Sequence, residues 1–319
     1  MGGEVMGTGG AGGAPGSPAN GASRVGVVGL GTMGRAVATC LIRAGRPLAV
    51  YDVRPEATEN LPAGTIVATV PSEVSAASDV VLVVVVDEAQ VRDALWGPGG
   101  LMESARESLS VVVLSTIGIP ALLDIAERAR RSGVTLLDCG VTGGEVAATK
   151  GVVSMVGGDD SAVRRIRPVL DDFSSQVFHM GPLGAGMTAK LARNVITYCT
   201  WHVVYEAGLL AERSGVDLAL LSDVIETSYR EAGGLTVPWR RGTVATMDPS
   251  DPDFDAAYLR MTAAVRILHK DLEAAQDLAE AKGVDLSVAA PTRADAELIF
   301  GLPAPTAQGN GTANTRKEA

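Results

Sequence analysis

The segment Arg24–Gly34, RVGVVGLGTMG, decides the fold because it joins a short apolar run to a glycine-rich turn. The apolar run predicts a buried strand, and the pattern over Arg35–Ala44 predicts a helix. Pro47–Tyr51 then predicts a second strand, with Asp52 directly after it. A strand, a G-x-G-x-x-G turn, a helix and a second strand within about thirty residues are typical of a dinucleotide-binding unit.

Each glycine of this turn has its own expected role in holding a pyrophosphate. Gly29 permits the tight turn, Gly31 lets the backbone approach the phosphates, and Gly34 lets the helix pack on the strand. The start of the helix adds free N–H groups and the positive end of its dipole. The candidate phosphate-binding residues are therefore Gly29, Leu30, Gly31, Thr32, Met33 and Gly34.

The residues after the second strand bear on which dinucleotide binds. Asp52 can accept hydrogen bonds from both hydroxyls of an adenosine ribose, and its charge repels a 2′-phosphate. This favours NAD, whereas Arg54 can pair with a 2′-phosphate and keeps NADP open. Val53 lies between these two residues and is the third candidate on the adenosine side.

Further alternation of strands and helices predicts a doubly wound sheet that closes at about Leu183. The predicted strands are Thr65–Val70, Asp79–Val86, Val111–Leu114, Thr135–Asp138, Gly151–Gly158 and Gln176–Met180. Asp79–Val86 is apolar almost throughout, as in a strand buried on both faces of a parallel sheet.

Two loops after these strands carry candidate ligand-binding groups. The hydroxyls of Ser115 and Thr116 can contact the nicotinamide amide or a substrate, or can cap a helix over Pro120–Arg131. The segment Thr142-Gly143-Gly144 offers a hydroxyl and consecutive N–H groups, which can bind a carboxylate or a phosphate.

A long helix is predicted over Gly184–Ser214, and the rest of the chain is predicted to be helical. Lys190 and Asn194 stand four residues apart and share one face of this helix, either to hold a small polar ligand or to face solvent. The expected organisation is a tail over 1–23, a Rossmann-type domain over 24–183, an all-α domain over 184–305 and a second tail over 306–319.

Composition narrows the function. The chain has 319 residues and a formal charge of −10, which argues against nucleic acid or an anionic membrane as its partner. Its longest apolar run is too short to span a bilayer, and no signal peptide is evident, so a cytoplasmic protein is expected. Three separated cysteines are expected to be buried, and the three histidines show no metal-ligand spacing, so no metal is expected.

Five motifs together resemble the β-hydroxyacid dehydrogenase family. They are GLGTMG at Gly29–Gly34, DVRPEA at Asp52–Ala57, DCGVTGGEVAATKG at Asp138–Gly151, GAGMTAKLARN at Gly184–Asn194 and KDL at Lys270–Leu272. The resemblance implies that Lys190 is the general acid/base and that Asn194 holds the substrate. It also implies a substrate-carboxylate site at Thr142, Gly143 and Gly144, a nicotinamide loop at Ser115, Thr116 and Ile117, and a cofactor contact at Lys270.

The implied activity is NAD(P)-dependent interconversion of a small 3-hydroxy acid and its semialdehyde or keto acid. The resemblance also implies a C-terminal domain like that of 6-phosphogluconate dehydrogenase, and the apolar helices favour a homodimer or tetramer. An imine reductase using NADPH and a non-catalytic nucleotide-sensing module are the alternatives. The chain departs from the family where Cys139-Gly140 replaces Ala-Pro and Thr142 replaces Ser, and Arg193 stands where 6-phosphogluconate dehydrogenase has His.

Overall fold

The computed structural model describes residues 23–143, 146–232 and 234–303. The expected tails lie outside this range, apart from Ser23. The chain divides into two compact units, Met1–Val195 and Ile196–Ala319. The domain bounds 24–183 and 184–305 stay predictions.

The described residues of the first unit form one sheet of eight strands. Their spatial order is β3-β2-β1-β4-β5-β6-β7-β8, and neighbours from β3 to β6 are parallel. β7 runs antiparallel to β6, and β8 runs parallel to β7. The strands are β1 (Val25–Val28), β2 (Leu48–Tyr51), β3 (Ile66–Val67), β4 (Val80–Val83), β5 (Ser110–Val113), β6 (Thr135–Thr142), β7 (Val152–Gly157) and β8 (Ser174–Gly181).

Helices cover both faces of this sheet. They are α1 (Thr32–Arg43), α2 (Pro71–Ala77), α3 (Glu88–Trp96), α4 (Ile119–Arg130), α5 (Ala147–Lys150), α6 (Asp160–Phe173) and the first part of α7 (Ala185–Arg213). One buried apolar cluster joins the sheet to α1, α5 and α6, and a second joins it to α2, α3 and α4. Since β1, β4 and β5 are buried along their whole length, they require cover on both sides. The predicted Rossmann-type doubly wound sheet followed by helices is confirmed.

Several local expectations differ from the structure. β6 runs to Thr142 rather than ending at Asp138, so Thr142 is the last residue of a strand instead of a loop residue. β4 ends at Val83 rather than Val86: the Val85 N–H donates to the Ser115 hydroxyl, and the Val86 side chain is 80% exposed. Helix α4 is capped at Gly118 without a side-chain bond, so Ser115 and Thr116 do not cap it. Cys199 is exposed in this chain, whereas the other two cysteines are buried as expected.

The second unit is helical in its described residues. It contains the remainder of α7, then α8 (Leu218–Ala232), a 3-10 helix (Gly234–Arg241), α9 (Phe254–Lys282), α10 (Ala289–Ala294) and α11 (Ala296–Ile299). A small core of Met247, Val265, Ala296 and Leu302 holds α9 and α11 together. No helix in the described part of the chain combines the length and the apolar character that crossing a membrane needs.

Candidate functional site

The glycine-rich turn has the backbone geometry that a pyrophosphate site requires. Gly29 has φ +95°, and a Cβ there would overlap the carbonyl oxygen of Val84. A Cβ at Gly34 would overlap the carbonyl oxygen of Gly29, so glycine lets α1 start directly against the turn. A Cβ at Gly31 would meet no atom within 4 Å, which leaves this backbone open to an approaching group. Glycine is therefore sterically required at Gly29 and Gly34, whereas the approach of a pyrophosphate to Gly31 stays a prediction.

The start of α1 can hold an anion. The first bond of its ladder runs from the Arg35 N–H to the Gly31 carbonyl at 2.8 Å, so earlier N–H groups have no acceptor within the helix. Gly31 caps the helix without a side chain and is exposed, as is Thr32. A surface cleft of about 470 Å³ adjoins this turn and is lined by Leu30, Gly31, Thr32, Arg35, Thr39 and Arg54, among others. The unfilled N–H groups and the adjacent arginines suit the phosphates of a dinucleotide.

Asp52 lies beside the turn, where an adenosine ribose would be recognised. Its carboxylate accepts the Leu30 N–H at 2.6 Å and the Arg54 N–H at 2.9 Å, and it pairs with the Arg54 guanidinium at 3.2 Å. Burial opposes its ionisation, but the bonds from Arg54 and Leu30 hold the pKa of Asp52 below its ordinary value. Arg54, which is 55% exposed, must leave this carboxylate to meet a 2′-phosphate. Val53 is exposed.

The two hydroxyls after β5 have different surroundings. The Ser115 hydroxyl is buried, accepts the Val85 N–H at 2.9 Å and lies 3.4 Å from the Val83 carbonyl. It therefore ties the ends of β4 and β5 together. Thr116 is exposed at the carboxyl edge of the sheet. The cofactor contacts expected of Ser115 and Thr116 stay predictions.

Lys190 lies against the strand that leads to the predicted anion-binding loop. A Cβ at Gly140 would overlap the Lys190 Cβ, so the base of the lysine side chain rests directly on β6. Thr142 is two residues beyond Gly140 on the same strand, and alternate residues share one face of a sheet. The structure thus brings Lys190 and Thr142 to the same face of β6.

The electrostatics of Lys190 suit a proton-transfer group. Burial lowers the pKa of its ammonium, and the charge of Arg193, three residues on, lowers it further. Within the described residues, no hydrogen bond or ion pair occupies the Lys190 amine. A half-buried amine with a depressed pKa can exchange a proton with a bound ligand more readily than an ordinary lysine.

The remaining site residues have these positions. Gly143 follows β6, where a Cβ would lie 3.3 Å from that of Ala147, and Gly144 lies outside the described residues. Asn194 is one turn beyond Lys190 and half-buried, and its amide oxygen lies 3.4 Å from an Arg193 nitrogen. Lys270 belongs to α9 in the second unit, is 76% exposed and pairs with Asp271 at 3.1 Å. Its predicted cofactor contact stays a prediction.

Asp138, to which the sequence assigned no function, is completely buried in β6. One carboxylate oxygen accepts the Gly184 N–H at 2.7 Å, and the other accepts the Met187 N–H at 2.5 Å. Burial raises the pKa of this carboxyl, while these N–H groups lower it. An acidic residue inside an apolar strand was the available signal, but its partners lie 46 and 49 residues further along the chain.

No group of three or more His, Cys, Asp or Glu side chains among the described residues could hold a metal ion. The donors that the site presents are N–H groups, hydroxyls and the Lys190 amine.

Comparison with known proteins decides the family. Residues 24–181 match the NAD-binding domain of 6-phosphogluconate dehydrogenase, and residues 184–298 match the NAD-binding region of NADP-dependent 3-hydroxyisobutyrate dehydrogenase. A 3-hydroxyisobutyrate dehydrogenase of Pseudomonas aeruginosa is 31% identical, over 87% of this chain and 91% of its own. The chain belongs to the β-hydroxyacid dehydrogenase family. It is an NAD(P)-binding oxidoreductase of that family.

Solved structures agree with this assignment. An oxidoreductase from Mycobacterium avium matches with a TM-score of 0.78 and 31% identity, covering 88% of this chain and 99% of that chain. An imine reductase from Myxococcus stipitatus matches with a TM-score of 0.70 and 17% identity, covering 86% of this chain and 92% of that chain. At 17% identity, the likeness to the imine reductase shows the fold alone.

Proposed function

We propose that this family member is an NAD(P)-dependent 3-hydroxyacid dehydrogenase that interconverts a small 3-hydroxy acid and its semialdehyde or keto acid. The observation that carries the proposal is the placement of Lys190. Its side chain starts on Gly140 beside Thr142, and its amine has a depressed pKa and no hydrogen-bond or ion-pair partner among the described residues. The similarity to a 3-hydroxyisobutyrate dehydrogenase supports a short branched or unbranched hydroxy acid as the substrate class.

The roles of the site residues follow from their chemistry. The bound nicotinamide supplies the hydride acceptor or donor. Lys190 takes the proton of the substrate hydroxyl in oxidation and returns it to the carbonyl oxygen in reduction. Asn194, one turn away on the same helix face, fixes the position of that oxygen. Thr142 and the N–H groups after it anchor the substrate carboxylate.

We further propose that NAD is the preferred cofactor. The Asp52 carboxylate stays ionised next to the glycine turn and can accept hydrogen bonds from ribose hydroxyls. Arg54 is held by that same carboxylate, so a 2′-phosphate has to compete with an existing ion pair. Binding of NADP is therefore opposed in two ways: the Arg54–Asp52 ion pair has to break, and Asp52 repels the 2′-phosphate.

The exposed apolar side chains of the second unit support a homo-oligomer. Trp201, Val204 and Tyr205 on α7 are 64%, 59% and 63% exposed in the single chain. Exposed apolar residues grouped on one element are typical of an interface, and a second copy of this chain is the proposed partner. Light scattering that gives only a monomer mass at micromolar concentration would refute this.

The proposed activity is tested with short 3-hydroxy acids and with the corresponding semialdehydes or keto acids, each with NAD(H) and NADP(H). Absorbance at the reduced nicotinamide band reports turnover. The wild type is compared with Lys190→Ala and with Lys282→Ala, which removes an exposed lysine at the end of α9. Turnover by the wild type and Lys282→Ala but not by Lys190→Ala is expected. Binding of the cofactor without turnover of any hydroxy acid or carbonyl compound would instead support a nucleotide-sensing module.

A further inference from the structure

The start of α7 packs closely against the sheet, at positions that have no room for a side chain. A Cβ at Gly186 would overlap the carbonyl oxygen of Met155 on β7, and a Cβ at Gly157 would overlap a carboxylate oxygen of Asp138. A Cβ at Gly140 would overlap Lys190 itself. Glycines on both the helix and the strands thus let α7 approach β6 and β7 more closely than a larger residue at these positions would allow.

Asp138 is the polar group that holds the start of α7 against the sheet. Its two oxygens bind the N–H groups of Gly184 and Met187, at the beginning and in the first turn of α7. Met187 is also fully buried in the apolar cluster on one face of the sheet. The first turn of α7 is therefore fixed at both its backbone and one side chain.

The position of Lys190 follows from that of this turn. Lys190 is three residues beyond Met187, so less than one turn of rigid helix separates the Asp138 contact from the lysine. On β6, Asp138, Gly140 and Thr142 are alternate residues. The same strand face therefore carries the carboxyl group that binds the helix, the glycine beneath Lys190 and Thr142, the predicted anchor of the substrate carboxylate.

A buried carboxylate is a costly way to cap a helix, since a hydroxyl or amide can accept the same N–H groups at a smaller desolvation penalty. Two hydrogen bonds to the two oxygens of one carboxyl group, however, define distance and direction better than a single bond does. Accurate placement of a reacting group requires such a defined geometry, which gives a reason for the costly burial of this carboxyl group.

We propose that Asp138 is a positioning residue, which sets the location of the Lys190 amine relative to Thr142 by fixing the first turn of α7. The inference rests on the proposed function, since it assigns a purpose to the placement of Lys190. Asp138 itself does not touch the substrate or the cofactor in this account.

The test compares Asp138→Asn with Ser154→Ala. The asparagine keeps one acceptor oxygen but turns an NH2 group towards an N–H donor of α7, so the helix start has to shift. Ser154 is equally buried on neighbouring β7 and bonds Ser174 at 2.7 Å, so its removal perturbs the same sheet without touching α7.

In Asp138→Asn, kcat is expected to fall by about 10- to 100-fold, because a displacement of about 1 Å at a reacting group costs that much. The dissociation constant of the cofactor is expected to stay within about twofold, since the glycine turn is not involved. Ser154→Ala is expected to keep its kcat. A stability loss in Asp138→Asn at unchanged kcat would make Asp138 a structural residue only and overturn the proposal.

A second readout needs no substrate and separates this inference from the proposed function. The pKa of the reductively methylated Lys190 amine is measured by NMR in the wild type and in Asp138→Asn, with Lys190→Arg to assign the signal. A shifted helix exposes the amine to water, so its pKa is expected to rise towards the ordinary lysine value. An unchanged pKa refutes the positioning role even if no hydroxy acid is turned over.

Gly140→Ala keeps the proposal testable if Asp138→Asn does not fold. The added Cβ pushes directly against Lys190 while the Asp138 contacts remain available. The same loss of kcat and the same rise in the Lys190 pKa are expected. Unchanged values for both would show that Lys190 does not depend on its close approach to β6, and would overturn the inference.

Discussion

Replacement of Asp52 by asparagine is expected to reverse the preference between the two dinucleotides. The carboxylate now accepts the Leu30 N–H and holds Arg54 at 3.2 Å. Asparagine can keep the bond to Leu30 through its amide oxygen, but it cannot hold the guanidinium by charge. The substitution therefore removes a charged acceptor for the ribose and releases Arg54 at the same time.

The magnitude follows from these two effects. A hydrogen bond to a charged group contributes about 1.5–3 kcal/mol, so its replacement by a neutral one weakens NADH binding by about tenfold. Two unit charges 4 Å apart interact by about 1 kcal/mol in water and about 4 kcal/mol near a protein surface, and Arg54 already screens part of this repulsion. We therefore expect NADPH to bind about tenfold more tightly. The ratio of the two dissociation constants then changes by about 100-fold.

Fluorescence titration of NADH and NADPH at one ionic strength measures both constants without any substrate. Arg54→Ala alone is expected to weaken NADPH and leave NADH almost unchanged. In the double variant, the gain for NADPH should be largely lost, since the cation that accepts the 2′-phosphate is absent. Equal changes in the two dissociation constants of Asp52→Asn would show that Asp52 does not discriminate between NADH and NADPH.

Three further predictions concern proton transfer and stability. If Lys190 transfers the proton, kcat of oxidation should rise with pH and kcat of reduction should fall, both with a pKa below the ordinary lysine value of 10.5. A kcat that does not depend on pH in either direction would contradict this role of Lys190. In urea denaturation, Ser78→Ala should change the free energy of unfolding by no more than about 0.5 kcal/mol, because the Ser78 hydroxyl is buried without a partner among the described residues. Ser75→Ala should lower the free energy of unfolding by about 1 kcal/mol, because the Ser75 hydroxyl donates to the Leu101 carbonyl. The bond from Arg24 lowers the pKa of Asp79 to about 2. The Arg24–Asp79 pair therefore stabilises the folded state above about pH 4, and this stabilisation is lost as the pH falls towards 2. Since the Asp79 side chain is 40% exposed, Asp79→Asn should lower the free energy of unfolding at pH 7 by about 1 kcal/mol or less, and stability should fall less steeply at acid pH. An unchanged loss of stability at acid pH would show that this ion pair does not cause that loss.

The dinucleotide-binding unit could be predicted from the sequence because its signals are local. Gly29, Gly31 and Gly34 are adjacent to the strand and the helix that they join, and Asp52 follows the next strand. The spatial order of the strands was not predicted, since the preference for right-handed parallel connections restricts that order without determining it. The structure confirms this part of the fold down to the steric need for glycine in the turn.

The candidate catalytic site was less accessible to prediction because its contacts are long-range. Lys190 and Gly140 are 50 positions apart in the chain, and their contact depends on how closely α7 packs on the sheet. Asp138 meets its partners across a similar separation. The orientation of Ser115 towards β4 and the pairing of Arg54 with Asp52 are side-chain choices that periodicity does not encode.

In the proposed reaction, Lys190 exchanges the substrate proton during a nicotinamide-dependent oxidation. A rapid-mixing experiment tests it most directly, with enzyme saturated in NAD and mixed with the hydroxy acid that the wild type turns over best. The formation of NADH in the first turnover is recorded for the wild type and Lys190→Ala. We expect the variant to bind NAD normally but to form NADH about 100-fold or more slowly in this first turnover, because a general acid/base has been removed. Formation of NADH at an unchanged rate in Lys190→Ala would show that Lys190 does not exchange the substrate proton.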